Sequence, residues 1–122
     1  MTKAAAIHSF WASFGLTAYE ENAVPADAAF PYITYELITD AFGGTVYLTA
    51  SLWYRSSSWI DANAKAEEIG GYIGYGGRRI ECDGGRIWIK RGAPFSQNLG
   101  DPEDDLIRRK QLNITADYLT IN

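Results

Sequence analysis

The chain has one histidine, His8, and one cysteine, Cys82, and that inventory bounds its chemistry. A Cys–His or Ser–His–Asp site would have to use His8. His8 falls in a predicted helix, beside the apolar stripe rather than on it, which suits a partly exposed helix histidine. No G-x-S-x-G nucleophile elbow occurs. One thiol and one imidazole cannot build a zinc site of the thiolate or imidazole kind. Oxygen ligands remain. Asp101, Glu103, Asp104 and Asp105 are clustered, and hard cations take such carboxylates. Their spacing does not match an EF-hand loop, and a solvated acidic loop is the simpler reading. Gly74-Tyr75-Gly76-Gly77 is glycine-rich like a phosphate-binding loop. Such loops precede a helix, whereas these glycines follow one and read as its stop. Asn113-Ile114-Thr115 matches a glycosylation sequon but lies inside a predicted strand. The expectation is a protein without catalytic residues, metal or cofactor.

The elements that would position these residues are legible in the pattern. Ile7, Phe10, Trp11 and Phe14 recur at helical spacing, so residues 2–14 are predicted helical, with Gly15 as the stop. Residues 16–31, bracketed by Pro25 and Pro31, read as a loop. Tyr32–Thr39 and Thr45–Tyr54 are predicted strands joined by turn chemistry, hence an antiparallel hairpin. Ser58 and Asp61 resemble a capping box before a helix from about Trp59 to Ile73, whose stripe is Ala62, Ala66, Ile69 and Ile73. Arg79–Cys82 and Arg86–Arg91 flank Asp83-Gly84-Gly85 and predict a second hairpin. A loop from Gly92 to Asp105 follows, then a strand from about Leu106 to Thr120. Such a strand would span roughly 50 Å, so a bend or a projecting end is expected. The predicted fold class is α+β: a mainly antiparallel sheet with two helices packed on one face.

The strands carry a feature that such a layout does not require. Val46, Leu48, Ala50 and Leu52 alternate with Tyr47, Thr49, Ser51 and Trp53. Ile33, Tyr35 and Leu37 alternate with Tyr32, Thr34 and Glu36. Ile87 and Ile89 alternate with Arg86, Trp88 and Lys90. The second face therefore gathers Tyr32, Tyr47, Trp53 and Trp88 where a half-covered antiparallel sheet is usually polar. Exposed aromatics mark partner surfaces, and Trp, Tyr and Arg are enriched in interface cores. Two other readings stay open: residues 16–31 fold back over the rings, or Trp88 belongs to a cation–π cluster with Arg86 and Lys90.

The 122 residues fit one domain, 1–122. Apolar residues make up 47% and charged ones 21%, an ordinary globular balance. A net charge of −4 argues against general attraction to nucleic acid or an anionic membrane. The basic side chains collect late, at Arg78, Arg79, Arg86, Lys90, Arg91, Arg108, Arg109 and Lys110. One cysteine allows no internal disulfide and suits a reducing compartment. No apolar run approaches the ~20 residues that span a bilayer, and no basic segment leads an apolar one. A soluble, intracellular chain is expected.

With these residues placed, an ordered series becomes recognisable. It starts with His8-Ser9-Phe10-Trp11, Phe14-Gly15, Tyr19, Val24-Pro25 and Pro31-Tyr32-Ile33-Thr34-Tyr35. It continues in Trp53-Tyr54-Arg55 with Trp59, in Gly85-Arg86-Ile87-Trp88-Ile89 with Gly92 and Pro94, and in the Asn113-Ile114-Thr115 strand. Over nearly its whole length the chain resembles the tail terminator, or tail completion, proteins of long-tailed bacteriophages and prophages. The resemblance implies an α/β fold and a ring, usually a hexamer, that closes the tail tube. The subunits would be monomers until the tube end is offered. Partners would be sister subunits, the major tail tube protein and head-completion proteins, with DNA only passing through the lumen. The location implied is the virion tail, and the host cytoplasm during assembly. The family has no catalytic residues to transfer. Candidate interface residues come from the sequence reading: Tyr47, Trp53, Trp88, Arg86, and the acidic Asp101, Glu103, Asp104 and Asp105. The alternatives are a different head–tail connector, or a small binding domain that uses the carboxylates.

Overall fold

A computed structural model describes residues 1–122. Its first helix, α1 (Lys3–Ala12), starts where the Thr2 hydroxyl accepts the Ala5 N–H at 3.0 Å, satisfying one of the amides that a helix start leaves open. Ile7, Phe10 and Trp11 are buried along one side, and Phe14 follows just beyond the end. Phe10 meets Trp11 and Phe14 edge-on at 4.9 and 5.4 Å, the arrangement that aromatic quadrupoles favour. Gly15 then turns the chain at φ +81°. The chain enters β1 (Thr17–Glu20), then β2 (Tyr32–Tyr35) and β3 (Val46–Arg55). Helix α2 (Ile60–Ile73) follows, then β4 (Arg78–Cys82), β5 (Gly85–Leu99) and β6 (Ile107–Thr120). The six strands lie in the order β1-β2-β3-β6-β5-β4, antiparallel throughout except for β1 beside β2. Two helices and a mostly antiparallel sheet make the fold α+β.

β6 is the central strand. It pairs with β3 over Ile107–Ala116 and with β5 over Arg109–Thr120. β5 pairs it as far as Thr120, so of the bend or projecting end that was expected, the projecting end does not occur. Leu112, Ile114, Ala116 and Tyr118 are buried, as the alternation required. They join Leu48, Ala50 and Leu52 of β3 and Ile87 and Ile89 of β5 in one core. Helix α2 packs against β3, β5 and β6, while α1 packs against β1, β2 and β4. Ala62, Ala66, Ile69 and Ile73 are the buried stripe of α2, as predicted.

Further sequence expectations require correction. Residues 16–31 are not all loop, because Thr17–Glu20 pairs in parallel with β2. Four residues are too few to show an alternation. The second hairpin does not end at Arg91 either. β5 continues to Leu99, across an irregularity between Arg91 and Ser96. Gly92 and Pro94 read as loop, but they occupy this bulge, where a residue can leave the ladder. The capping box does not form. Trp59 is the N-cap and makes no side-chain cap bond. The Ser58 hydroxyl accepts the Ile60 N–H at 3.1 Å instead, a local serine turn that competes with a cap.

The first hairpin forms as predicted, but β2 stops at Tyr35 rather than Thr39. Glu36 explains the stop. Its N–H donates to the Thr49 carbonyl at 2.9 Å, and its carboxylate accepts the Thr49 N–H at 3.1 Å. A side chain thus ends the ladder. The freed segment is pinned further on by Tyr118, whose hydroxyl donates to the Ile38 carbonyl at 2.6 Å.

Burial pushes the Tyr118 phenol up from its ordinary 10.0 to about 12. Its contribution to stability is therefore complete below pH 10 and is lost as pH rises toward 12. Tyr118→Phe should cost about 1 kcal/mol at pH 8 through the lost hydrogen bond. The gap in Tm between wild type and variant should narrow between pH 10 and 12. A constant gap would remove the titration argument.

Candidate interaction surface

Register decides which outward side chains meet. Tyr32 of β2 stands opposite Trp53 of β3, and Trp53 stands opposite Arg109 of β6. Facing residues of an antiparallel pair project to the same side, so a Tyr–Trp–Arg row crosses three strands. The Tyr32 and Trp53 rings are stacked, with centroids 6.1 Å apart and planes 19° from parallel. The Arg109 Cζ lies over Trp53 at 4.8 Å from the ring centroid, a cation–π contact. Tyr19 of β1 meets Tyr32 edge-on at 5.9 Å, and Phe30 tilts against it at 5.2 Å.

Buried hydroxyls hold the row in place. Trp53 Nε1 donates to Thr34 Oγ1 at 2.8 Å, and Arg109 Nε donates to Ser51 Oγ at 3.0 Å. Thr34 and Ser51 are both buried. Each long side chain is thus fixed at its polar atom as well as by its ring contacts, and loses less freedom on binding. Arg109 forms no ion pair, so its terminal N–H groups remain available for a carboxylate. Residues 16–31, the alternative covering loop, cover the row in part. They lengthen the row with Tyr19 at its edge and rest Phe30 on Tyr32. Trp53 remains half-buried.

The other candidates do not join this row. Tyr47 and Trp53 are six residues apart on β3, about 20 Å, with Thr49 and Ser51 between them. The single aromatic face read from the sequence is therefore split. Tyr47 is 77% exposed. Trp88 sits in a cation–π cluster, under Arg79 Cζ at 4.8 Å and Lys90 Nζ at 4.3 Å, and its Nε1 donates to the Gly76 carbonyl at 3.0 Å. The cluster uses Arg79 rather than Arg86, because Arg86 turns to Glu81 at 2.8 Å. Lys90 also reaches Asp117 at 3.0 Å, and Thr45 donates to Asp117 at 2.7 Å.

The acidic segment is organised by its own backbone. Asp101 accepts the Glu103 N–H at 2.8 Å, and Asp104 accepts the Leu106 N–H at 2.9 Å. Asp104 also pairs with Arg55, whose hydrogen bond is the main cause holding its carboxyl below the ordinary range. Asp101, Glu103 and Asp105 form no ion pair, and no three potential ligands converge on a metal-sized point. His8 is exposed, its Nδ1 3.0 Å from the hydroxyl of buried Tyr35. Cys82 is half-buried, and burial raises its thiol pKa. Gly74 ends α2 at φ +74°, with its N–H on the Gly70 carbonyl. The sequence reading names Arg109 only among the late basic residues and Tyr19 only in the ordered series, and it does not name Phe30. Counting back from Leu112 gives the side on which Arg109 lies, but nothing in the pattern gives its register with Trp53.

No protein-family model, no curated protein and no solved structure matches the chain.

The Thr45 hydrogen bond and then Lys90 hold the Asp117 carboxyl below its ordinary range, outweighing partial burial. That stabilisation is present above the ordinary carboxylate range and is lost as pH falls through the depressed value. Asp117→Asn should therefore cost about 0.5–1 kcal/mol at pH 7, read from denaturant midpoints. The difference should shrink as the pH is taken down through the depressed range of this carboxyl. A difference that persists there would assign the loss to packing instead.

Proposed function

We propose that the chain is a structural subunit of a virus tail. It caps the tail tube of a long-tailed phage or prophage, ends tube polymerisation and contributes to the surface that joins tail to head. One observation carries this reading: a Tyr32–Trp53–Arg109 row fixed on an outward sheet surface, with an arginine that no acid of the chain neutralises. Interface hot spots have this composition and this rigidity. The ordered series of residues resembling tail terminators supplies the identity of the assembly. In this reading both helices lie on one face of the sheet and the row lies on the other. The row then meets an axial partner, the major tail tube protein or a head-completion protein. Sister copies close a ring, usually a hexamer, through which DNA passes, and the protein works without catalytic residue, metal or cofactor.

Deleting the gene from the phage or prophage that carries it should yield overlong tails of variable length by electron microscopy. Normal tails would overturn the proposal. Binding to the portal side without binding to tube protein would move the chain to another head–tail connector role. In a tube-end binding assay, Trp53→Glu with Arg109→Glu should weaken capture at least about 10-fold. Trp53→Phe, which keeps the stacked ring, should retain most of it. If both variants bind normally while remaining folded, the row is not the contact.

A further inference from the structure

A cleft of about 600 Å³ runs along one side of α2, between the helix and the far half of β5. Lys110 marks one end of it. Its Nζ donates to Asn63 Oδ1, in the first turn of α2, at 2.9 Å and to Asn98 Oδ1 at 2.8 Å. Both acceptors are neutral amides, so the charge is oriented but not cancelled. Arg91 marks the other end, beside the fully exposed Tyr75 that follows α2. Neither cation forms an ion pair. The ladder places both on one side of the sheet: Asn98 faces Lys110 and Arg91 faces Ile114, and Lys110 and Ile114 share the parity of buried Leu112. Along β6 the two levels are about 13 Å apart. Between them the helix presents Gly70 and Gly71, although glycine is unfavourable inside a helix. Gly70 has a packing reason, since a Cβ there would meet the Phe95 ring at 3.0 Å. Gly71 has none within the chain: a Cβ would point into open space. Side chains are thus withheld from the middle of the cleft on its helix wall.

A single carboxylate or phosphate cannot serve two cations so far apart. An extended polypeptide can, because its side chains at i and i+4 lie on one side and about 13 Å apart. Glu67 also borders the cleft. A carboxylate there opposes a run of phosphates but accepts a backbone N–H, which a polypeptide offers and a nucleic-acid backbone lacks. The side-chain NH2 groups of Asn63 and Asn98 have no acceptor within the chain, since both amides engage Lys110 through oxygen, and they can donate to peptide carbonyls. We propose that the cleft binds an extended acidic segment of another protein. Carboxylates about four residues apart meet Lys110 and Arg91, and the backbone between them passes over Gly70 and Gly71. The chain's own Asp101 and Asp105 have that spacing. They are folded into a turn, however, by the bonds from Glu103 N–H to Asp101 and from Leu106 N–H to Asp104, so the occupant is a different protein. The contact is separate from the Tyr32–Trp53–Arg109 row and does not rest on the tail reading.

Fluorescence anisotropy on the full chain tests it, with a labelled, end-blocked Glu-Val-Thr-Val-Glu peptide as the probe. Wild type should bind the peptide saturably in about 20 mM salt, with Kd below about 1 mM, and release it in about 0.5 M salt. A Gln-Val-Thr-Val-Gln peptide should bind at least about 10-fold more weakly. Arg91→Gln and Lys110→Gln should each weaken capture of the glutamate peptide by a similar factor. Gly71→Leu changes no charge, and its Cβ meets no neighbour, so it keeps the fold while filling the cleft. It should weaken capture as well. Absence of saturable binding overturns the proposal. So does equal affinity for the glutamine peptide, or full binding by Gly71→Leu. An oligothymidylate that binds more tightly, with the same dependence on Arg91 and Lys110, would give the cleft to nucleic acid and overturn it too. Trp53→Glu with Arg109→Glu should bind the peptide as wild type does, so this contact and the tube-end contact can fail independently.

Discussion

The pairing of β6 between β3 and β5 is the constraint on which the other features depend. It buries Leu112, Ile114, Ala116 and Tyr118, and by the same parity it turns Arg109, Gln111, Asn113 and Asp117 outward. A slip of one residue would exchange those sets. It would place a guanidinium and a carboxylate in the core, so the register is specified by a large desolvation cost. The outward surfaces inherit that precision. Arg109 meets Trp53 only because the ladder aligns them, and Asp117 reaches both Thr45 and Lys90 because β6 lies between β5 and β3, which Thr45 immediately precedes.

What the sequence discloses depends on how many residues carry a signal. The helix stripes and the buried alternation in β3, β5 and β6 were legible because each repeats over several turns or pleats. β1 was not, since four residues beside a longer partner leave no period to count. The far half of β5 was hidden for another reason: Gly92 and Pro94 mark a turn in most chains, and here they mark a bulge within a strand. The candidate surface was half legible. Parity identified Trp53 and Tyr32 as outward, but it could not say that Tyr47 stands about 20 Å from Trp53 or that Arg109 is the missing neighbour. Those are facts of pairing between strands far apart in the chain. The acidic cluster was visible as composition, while its use of Asp101 and Asp104 as turn acceptors required the backbone.

The surfaces also differ in how their charge is settled. Around Trp88 Lys90 is balanced by Asp117 and nearby Arg86 by Glu81, whereas Arg79 lies on the ring without an acidic partner. Around Trp53 and along the cleft the cations are not balanced. Arg109, Arg91 and Lys110 are held by hydroxyls or amides, or stand free. A hydrogen bond to a neutral group orients a cation while leaving its field intact.

The bulge in β5 has a further consequence. β4 covers β5 only over Gly85–Ile89, so the outer rim of β5 beyond that point has no strand beside it. An uncovered rim of this length invites another chain to add to the sheet, the first step toward fibrous aggregation. The break between Arg91 and Ser96 interrupts the regular run of donors and acceptors that such a templated strand would need, and Pro94 contributes no N–H at all. The molecule is therefore guarded against unlimited backbone-to-backbone growth. A chain so guarded can be present at high local concentration, and neighbours that join it are selected by side-chain fit, which is finite and can be undone.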